Sequence, residues 1–281
     1  RSGTSLLAAG LEALGCDLGD VAEGRSDENP KGYFEHAAIR AFNDDLLRRL
    51  GSSWDNWGFD ALAAGLDGPD HAGPRAEAAS LLEKSFAGRS PFALKDPRIS
   101  FLLPFWEATF AETGARIRRV LILRHPDEVA ASQVRRSARN PAFHRHLTTP
   151  EAMHALWCVT MHTVLCALPE EGALLVGHAD LYERPAQTLS AVADFAGLEA
   201  QAERVAGFAG DFLDPSLWRA RPAGGGPDDP WRRLAAGLFD QLAAPGLPRR
   251  LDGRTARGLA ADSGIGSMLP FLSAVRGSLS G

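Results

Sequence analysis

Apolar residues along the chain fall into short runs separated by polar turns. Three runs, Phe92–Lys95, Val120–Arg124 and Ala173–His178, are continuous rather than alternating. Continuous short runs mark strands buried on both faces. Each is followed by a polar or proline-containing turn and then by a helical pattern, at Ile99–Thr113, Asp127–Ala138 and Pro185–Ala196. Repeated strand–turn–helix units predict an α/β fold, a parallel β-sheet flanked by helices on both faces. Ligands of such sheets collect at the carboxyl ends of the strands. The chemistry is therefore expected just after Lys95, Arg124 and His178, and at the Arg1–Ser5 turn.

The sequence opens Arg1-Ser2-Gly3-Thr4-Ser5 and runs straight into a helical spacing of Leu6, Leu7, Leu11 and Leu14, with Gly15 at the stop. A Gly-Thr-Ser turn at a helix start usually follows a strand, so a first strand is expected ahead of Arg1. Gly51–Pro74, which carries Trp54 and Trp57, reads as irregular. Arg219–Pro230, with Gly224-Gly225-Gly226-Pro227, reads as a mobile loop. From Trp231 the pattern suggests short helices. With no internal repeat and no second boundary, 1–281 reads as a single domain whose 201–281 part is helical.

Composition narrows the class. Hydrophobic residues make up 45% and charged residues 23%, ordinary for a globular protein. The net charge of -5 argues against gripping nucleic acid as a main task. No apolar run approaches the roughly 18–20 residues of a membrane span. Cys16, Cys158 and Cys166 lack zinc-site spacing and cannot form a disulfide framework, so reduced thiols and a cytoplasmic location are expected.

Two segments suggest a phosphate site. A loop of small residues ahead of a helix gathers free N–H groups at the positive end of the helix dipole. Arg1-Ser2-Gly3-Thr4-Ser5 fits that description, although an ordinary capped helix start would also explain it. It is not a Walker A loop, because Gly-Lys-Ser/Thr is absent. In Arg124-His125-Pro126-Asp127-Glu128-Val129-Ala130-Ala131-Ser132, an arginine ends a buried strand and Pro126 opens a helix. Arg124 and Ser132 could reach one phosphate together, or could be a surface arginine and a plain helix serine.

Together these segments resemble the two signature loops of the sulfotransferases that use 3′-phosphoadenosine 5′-phosphosulfate (PAPS). Three further segments resemble bacterial members of that family. They are Asn29-Pro30-Lys31-Gly32-Tyr33-Phe34-Glu35, then Lys95-Asp96-Pro97-Arg98, then Leu174–Leu181 with Pro185 and Phe195-Ala196-Gly197-Leu198. The resemblance spans roughly residues 1–200. It implies a P-loop-like sulfotransferase fold, with PAPS as co-substrate and no metal. It places the 5′-phosphosulfate on Arg1, Ser2, Gly3, Thr4 and Ser5, and the 3′-phosphate on Arg124 and Ser132. His178, with Ala179, stands where the family has Tyr-Glu, at the adenine side, and the family's third nucleotide-binding segment has no match.

The chemistry implied is sulfuryl transfer to a hydroxyl or amine of a small metabolite or glycan, releasing adenosine 3′,5′-bisphosphate (PAP). Such a reaction needs a cation near the bridging oxygen and a base for the acceptor's proton. Arg1 and Lys95 are the expected cations. Glu35 is the expected base, because its flanking aromatics can exclude water and raise a carboxyl pKa. Asp96 reads as an ion-pair partner of its basic neighbours, and His36 is a further base candidate. Arg135, Arg136, Arg139, His144, Arg145 and His146 close over the bisphosphate, meet an anionic acceptor or form a solvated loop. Trp54 and Trp57 either stack on an acceptor or pack. Two rivals remain: a P-loop small-molecule kinase, and a nucleotide-binding module without turnover.

Overall fold

A computed structural model describes residues 2–21, 31–139, 147–214 and 229–270. In chain order the helices are α1 (Thr4–Ala13), α2 (Ala37–Arg49), α3 (Ala72–Phe86), α4 (Leu103–Thr113), α5 (Pro126–Arg139), α6 (Pro150–Ala167), α7 (His178–Glu183), α8 (Pro185–Ala196), α9 (Ala202–Gly207), α10 (Pro230–Ala243) and α11 (Gly253–Asp262). The strands are β1 (Val120–Leu123), β2 (Ala173–Gly177) and β3 (Arg249–Leu251). The fold is α/β and dominated by helices. Its sheet is small and mixed, in the order β1-β2-β3. β1 and β2 pair in parallel, Val120 opposite Leu174, while β3 runs antiparallel to β2.

Successive side chains of a strand point to opposite faces, and here each face meets its own apolar cluster. Leu123 and Leu175 join a large cluster with α2, α3, α4, α6, α10 and α11. Ile122, Leu174 and Val176 join a smaller one with α1, α8 and α9. Burial on both sides explains why these two strands read as unbroken apolar runs. Pro126 opens α5, the helix after β1, and Pro185 opens α8, the second helix after β2.

The structure corrects the sheet in two places. The run Phe92–Lys95 forms no third strand; it makes a single parallel bridge, Asp17 to Phe92. Its partner Asp17 lies between Gly15 and Gly19, both at positive φ, so no extended neighbour continues the ladder. Conversely, β3 contains two arginines in three residues and gives no apolar signal. The expected helix over Ile99–Thr113 begins later, at Leu103, after a tight turn over Pro97–Ser100. Gly51–Pro74 is turns as far as Gly68 and then becomes helical. Trp54 and Trp57 pack on the larger cluster. Most of Arg219–Pro230 lies outside the described residues.

Cys16 and Cys158 are buried, Cys166 is half-buried, and all three are free thiols whose pKa burial pushes up. Among the described residues, no helix is long and apolar enough to cross a membrane.

Candidate functional site

Gly3 sets the geometry at the head of α1. Its φ of 97° is left-handed, which places its carbonyl to accept from Leu7 N–H at 3.1 Å. A Cβ on Gly3 would lie 2.3 Å from His178 Cδ2 and 3.2 Å from Ile122 Cδ1. The turn therefore rests directly on β1 and on the residue that follows β2. This is the carboxyl edge of the parallel pair, where a ligand is expected.

His178 is buried under that turn, its ring 5.4 Å from the ring of Tyr182. Its Nδ1 is buried and finds no hydrogen-bond partner among the described residues. Burial first, and then the nearby Arg124 charge, push the imidazole down to about 3. The ring is neutral at physiological pH, and the orphaned nitrogen can accept or donate according to tautomer.

A short segment, 31–36, ties the α1 turn to the run ending at Lys95. Ser5 Oγ donates to the Tyr33 carbonyl at 3.1 Å. Lys95 Nζ donates to the same carbonyl at 2.8 Å and to Glu35 Oε1 at 2.8 Å. Both Glu35 and Lys95 are almost wholly buried: their side chains are 8% and 10% exposed. Burial pushes the Lys95 ammonium down, and Glu35 beside it pulls the other way. The segment is bent by Gly32 and by Phe34, a non-glycine residue at φ 56°. A positive φ at a bulky residue is strained and persists only where surroundings fix it. Here the Phe34 ring packs edge-on against Phe212 at 5.8 Å.

The surroundings of Glu35 differ from the expectation of a carboxylate isolated among aromatics. Arg98 Nη1 lies 3.5 Å from Glu35 Oε2, so a cation faces each carboxylate oxygen. Asp96 orients that arrangement: Oδ1 accepts from Arg98 Nη1 at 2.9 Å and from Arg98 N–H at 3.0 Å. Its Oδ2 accepts from Asn43 Nδ2 at 3.0 Å, and Asn43 in turn accepts from Trp106 Nε1. Arg98 also pairs with Asp44. His36 turns elsewhere, its ring 5.5 Å from Phe86, with both nitrogens buried and without a hydrogen-bond partner among the described residues, and burial pushes its pKa down.

Arg124 follows β1 and donates from Nε to Glu128 Oε2 at 3.1 Å. Ser132 is buried two turns into α5. One turn further, Arg136 Nη2 donates to the Tyr33 hydroxyl at 3.5 Å, which links α5 to the bent segment. Arg135 and Arg139 are exposed. Arg1, Asn29, Pro30, His144, Arg145 and His146 lie outside the described residues. Among the described residues, no group of three or more His, Cys, Asp or Glu side chains is placed to hold a metal ion.

Sequence reasoning missed the groups that bind these parts to one another. The Tyr33 carbonyl leaves no trace in side-chain patterns. The Asp96–Arg98 pair was expected, but Asn43 and the approach of Arg98 to Glu35 and Asp44 were hidden because those partners are distant in the chain. A second buried network fixes the head of α5: Arg232 donates to both oxygens of Asp127, at 3.0 and 2.8 Å. His154 faces Asp127 at 3.0 Å and Asp229 at 3.3 Å. The Arg232 hydrogen bonds hold the Asp127 carboxyl below its ordinary range. Against known proteins, no family model, curated protein or solved structure matches this chain.

Proposed function

We propose that this protein is a PAPS-dependent sulfotransferase acting on a hydroxyl or amine of a small metabolite or glycan. The observation that carries this reading is the meeting of Ser5 and Lys95 at one carbonyl, that of Tyr33, beside the α1 turn, with Glu35 accepting from the same Lys95. Residues from three separated segments resembling that family thus fall within hydrogen-bond reach of one another. The parallel β1–β2 pair, covered by apolar clusters on both faces, fits a P-loop-like sulfotransferase sheet.

The residues present suit a bisphosphate nucleotide. Gly3 keeps the backbone at the head of α1 bare of a side chain, and the positive end of a helix favours an anion. His178 Nδ1 is a buried polar atom beneath that turn with no partner among the described residues. Arg124 and Ser132 would hold the 3′-phosphate, and Arg1 with Ser2–Ser5 the phosphosulfate. With donor bound, a bond forms from the acceptor oxygen to sulfur. The bond from sulfur to the 5′-phosphate oxygen breaks, and that oxygen keeps the electron pair. Glu35 takes the acceptor's proton. Lys95 sets its positive charge beside the leaving oxygen. Burial around both strengthens each electrostatic contribution.

Calorimetry with PAPS, PAP, adenosine 5′-phosphate and ATP tests the assignment. PAPS and PAP are expected to bind more tightly than ATP. Arg124→Ala should weaken PAP by about 1.5–3 kcal/mol, a charge-assisted contact, and leave adenosine 5′-phosphate far less affected. Preferential ATP binding, or an Arg124→Ala protein with unchanged PAP affinity, rejects the reading and favours a kinase. A screen of hydroxyl, amine and glycan acceptors with radiolabelled PAPS then identifies the acceptor.

A further inference from the structure

The candidate base is already engaged. Glu35 Oε1 accepts from Lys95 at 2.8 Å and Oε2 faces Arg98 at 3.5 Å, so neither oxygen is turned to an acceptor alone. Lys95 is engaged as well, with two of its three N–H donors on Glu35 and the Tyr33 carbonyl. A carboxylate oxygen that already accepts from an ammonium has one direction fewer from which to meet an acceptor's proton. An ammonium shared with a carboxylate is a weaker stabiliser of a leaving oxygen. The pairing therefore blunts both groups.

Resting on the sulfotransferase reading, we infer that Lys95 is a donor-operated latch on Glu35. The sulfuryl end of PAPS competes for the ammonium and draws it off the carboxylate. The separation leaves Glu35 oriented by Arg98, which Asp96 and Asp44 hold in place. Glu35 thus becomes an effective base only when donor is in position. Lys95 acts on the acceptor's proton through Glu35 and on the leaving oxygen directly. PAP keeps the leaving oxygen on its 5′-phosphate, so the pair re-forms when the product departs; adenosine 3′-phosphate carries neither the sulfuryl group nor that oxygen and does not pull the latch.

Breaking the pair opposes PAPS binding, and this has an unusual consequence. Glu35→Gln removes the carboxylate charge that holds Lys95. It should bind PAPS roughly tenfold more tightly, the scale of one coupling between contacting residues. Its affinity for adenosine 3′-phosphate should stay within about twofold of the parent's. Simple repulsion between Glu35 and the sulfuryl group would also tighten PAPS, so the same substitution is repeated in a Lys95→Met background. There the latch predicts no tightening, whereas repulsion predicts that it persists.

Calorimetry on the four proteins supplies the cycle, and binding of adenosine 3′-phosphate checks that each is folded. A second measurement needs no variant. The chain has three lysines, Lys31, Lys84 and Lys95, so ammonium signals of lysine-labelled protein are few enough to assign. The Lys95 signal should move with PAPS and hold nearly still with adenosine 3′-phosphate. Equal PAPS affinity in Glu35→Gln and parent, tightening that survives Lys95→Met, or a Lys95 signal that moves equally with both nucleotides overturns the latch while leaving the sulfotransferase reading intact. A parent protein that binds neither PAPS nor PAP overturns both.

Discussion

At the scale of single residues, Gly3 and Glu35 make the sharpest demands. Gly3 meets two constraints at once, a left-handed φ and a contact with His178 that leaves no room for a Cβ. Gly3→Ala should cost about 1–3 kcal/mol of stability through the strained backbone alone, with the collision adding to it. Adding His178→Ala should recover the collision part and leave the backbone part, which chemical denaturation of both variants can separate. Glu35→Gln should lower single-turnover transfer by roughly 10²–10⁴-fold, the range of a lost general base. A Glu35→Gln enzyme that transfers at the parent rate would remove the base role from Glu35 without touching nucleotide binding.

At the scale of elements, α5 is the part that most depends on others. It carries Arg124 at its approach, Ser132 in its second turn and Arg136 in its third, and its head is fixed by Arg232 from α10 and His154 from α6. Arg232→Met breaks charge-assisted bonds to Asp127 and should cost about 1.5–3 kcal/mol. Hydrogen exchange should then rise in α10 and in the first turn of α5 ahead of the rest. Uniform exchange across the chain would mean that α10 is held by its apolar face alone. This element also marks how far the sequence could be read. Its start at Pro126 and its strand before it were legible, because proline and an unbroken apolar run are local signals. Its anchoring was not, because Asp127, His154, Asp229 and Arg232 belong to three segments that only the fold joins. The same division explains the sheet. β1 and β2 are buried on both faces and announce themselves; β3 is a short edge strand bearing arginines and does not. Phe92–Lys95 looked like a strand because it is apolar, yet pairing depends on a neighbour that the run itself does not encode. Within the candidate site, Lys95 and Glu35 were legible as residues, but their pairing with each other and with Arg98 was not.

At the scale of the whole molecule, buried imidazoles govern the response to acid. His36, His162 and His178 all have their pKa lowered, chiefly by burial, with His178 at about 3. An unfolded histidine titrates near 6.5. Below that value the unfolded chain takes up protons that the folded rings refuse, so stability is lost as pH falls from about 6.5. The Asp127 carboxyl, depressed by Arg232, contributes its stability above about 3.9 and loses it only at lower pH. Scanning calorimetry should therefore find a lower Tm at pH ~5 than at pH ~7.5. His162→Leu should flatten that slope by up to about one proton. A Tm unchanged across this interval would mean that these rings open to water before the rest unfolds.

The Tyr33 carbonyl has a consequence for how this protein tolerates change. Two groups of the candidate site converge on an atom that every amino acid supplies. Substituting the tyrosine removes the ring and its contact with Arg136 but leaves the acceptor for Ser5 and Lys95 where it was. Position 33 can therefore look permissive in a survey of side chains while carrying the junction of the site. Sensitivity is displaced to whatever sets the path of the backbone. Phe34→Pro, whose ring holds φ near about -65°, cannot follow that path and should disconnect the junction without altering any group that bonds to it.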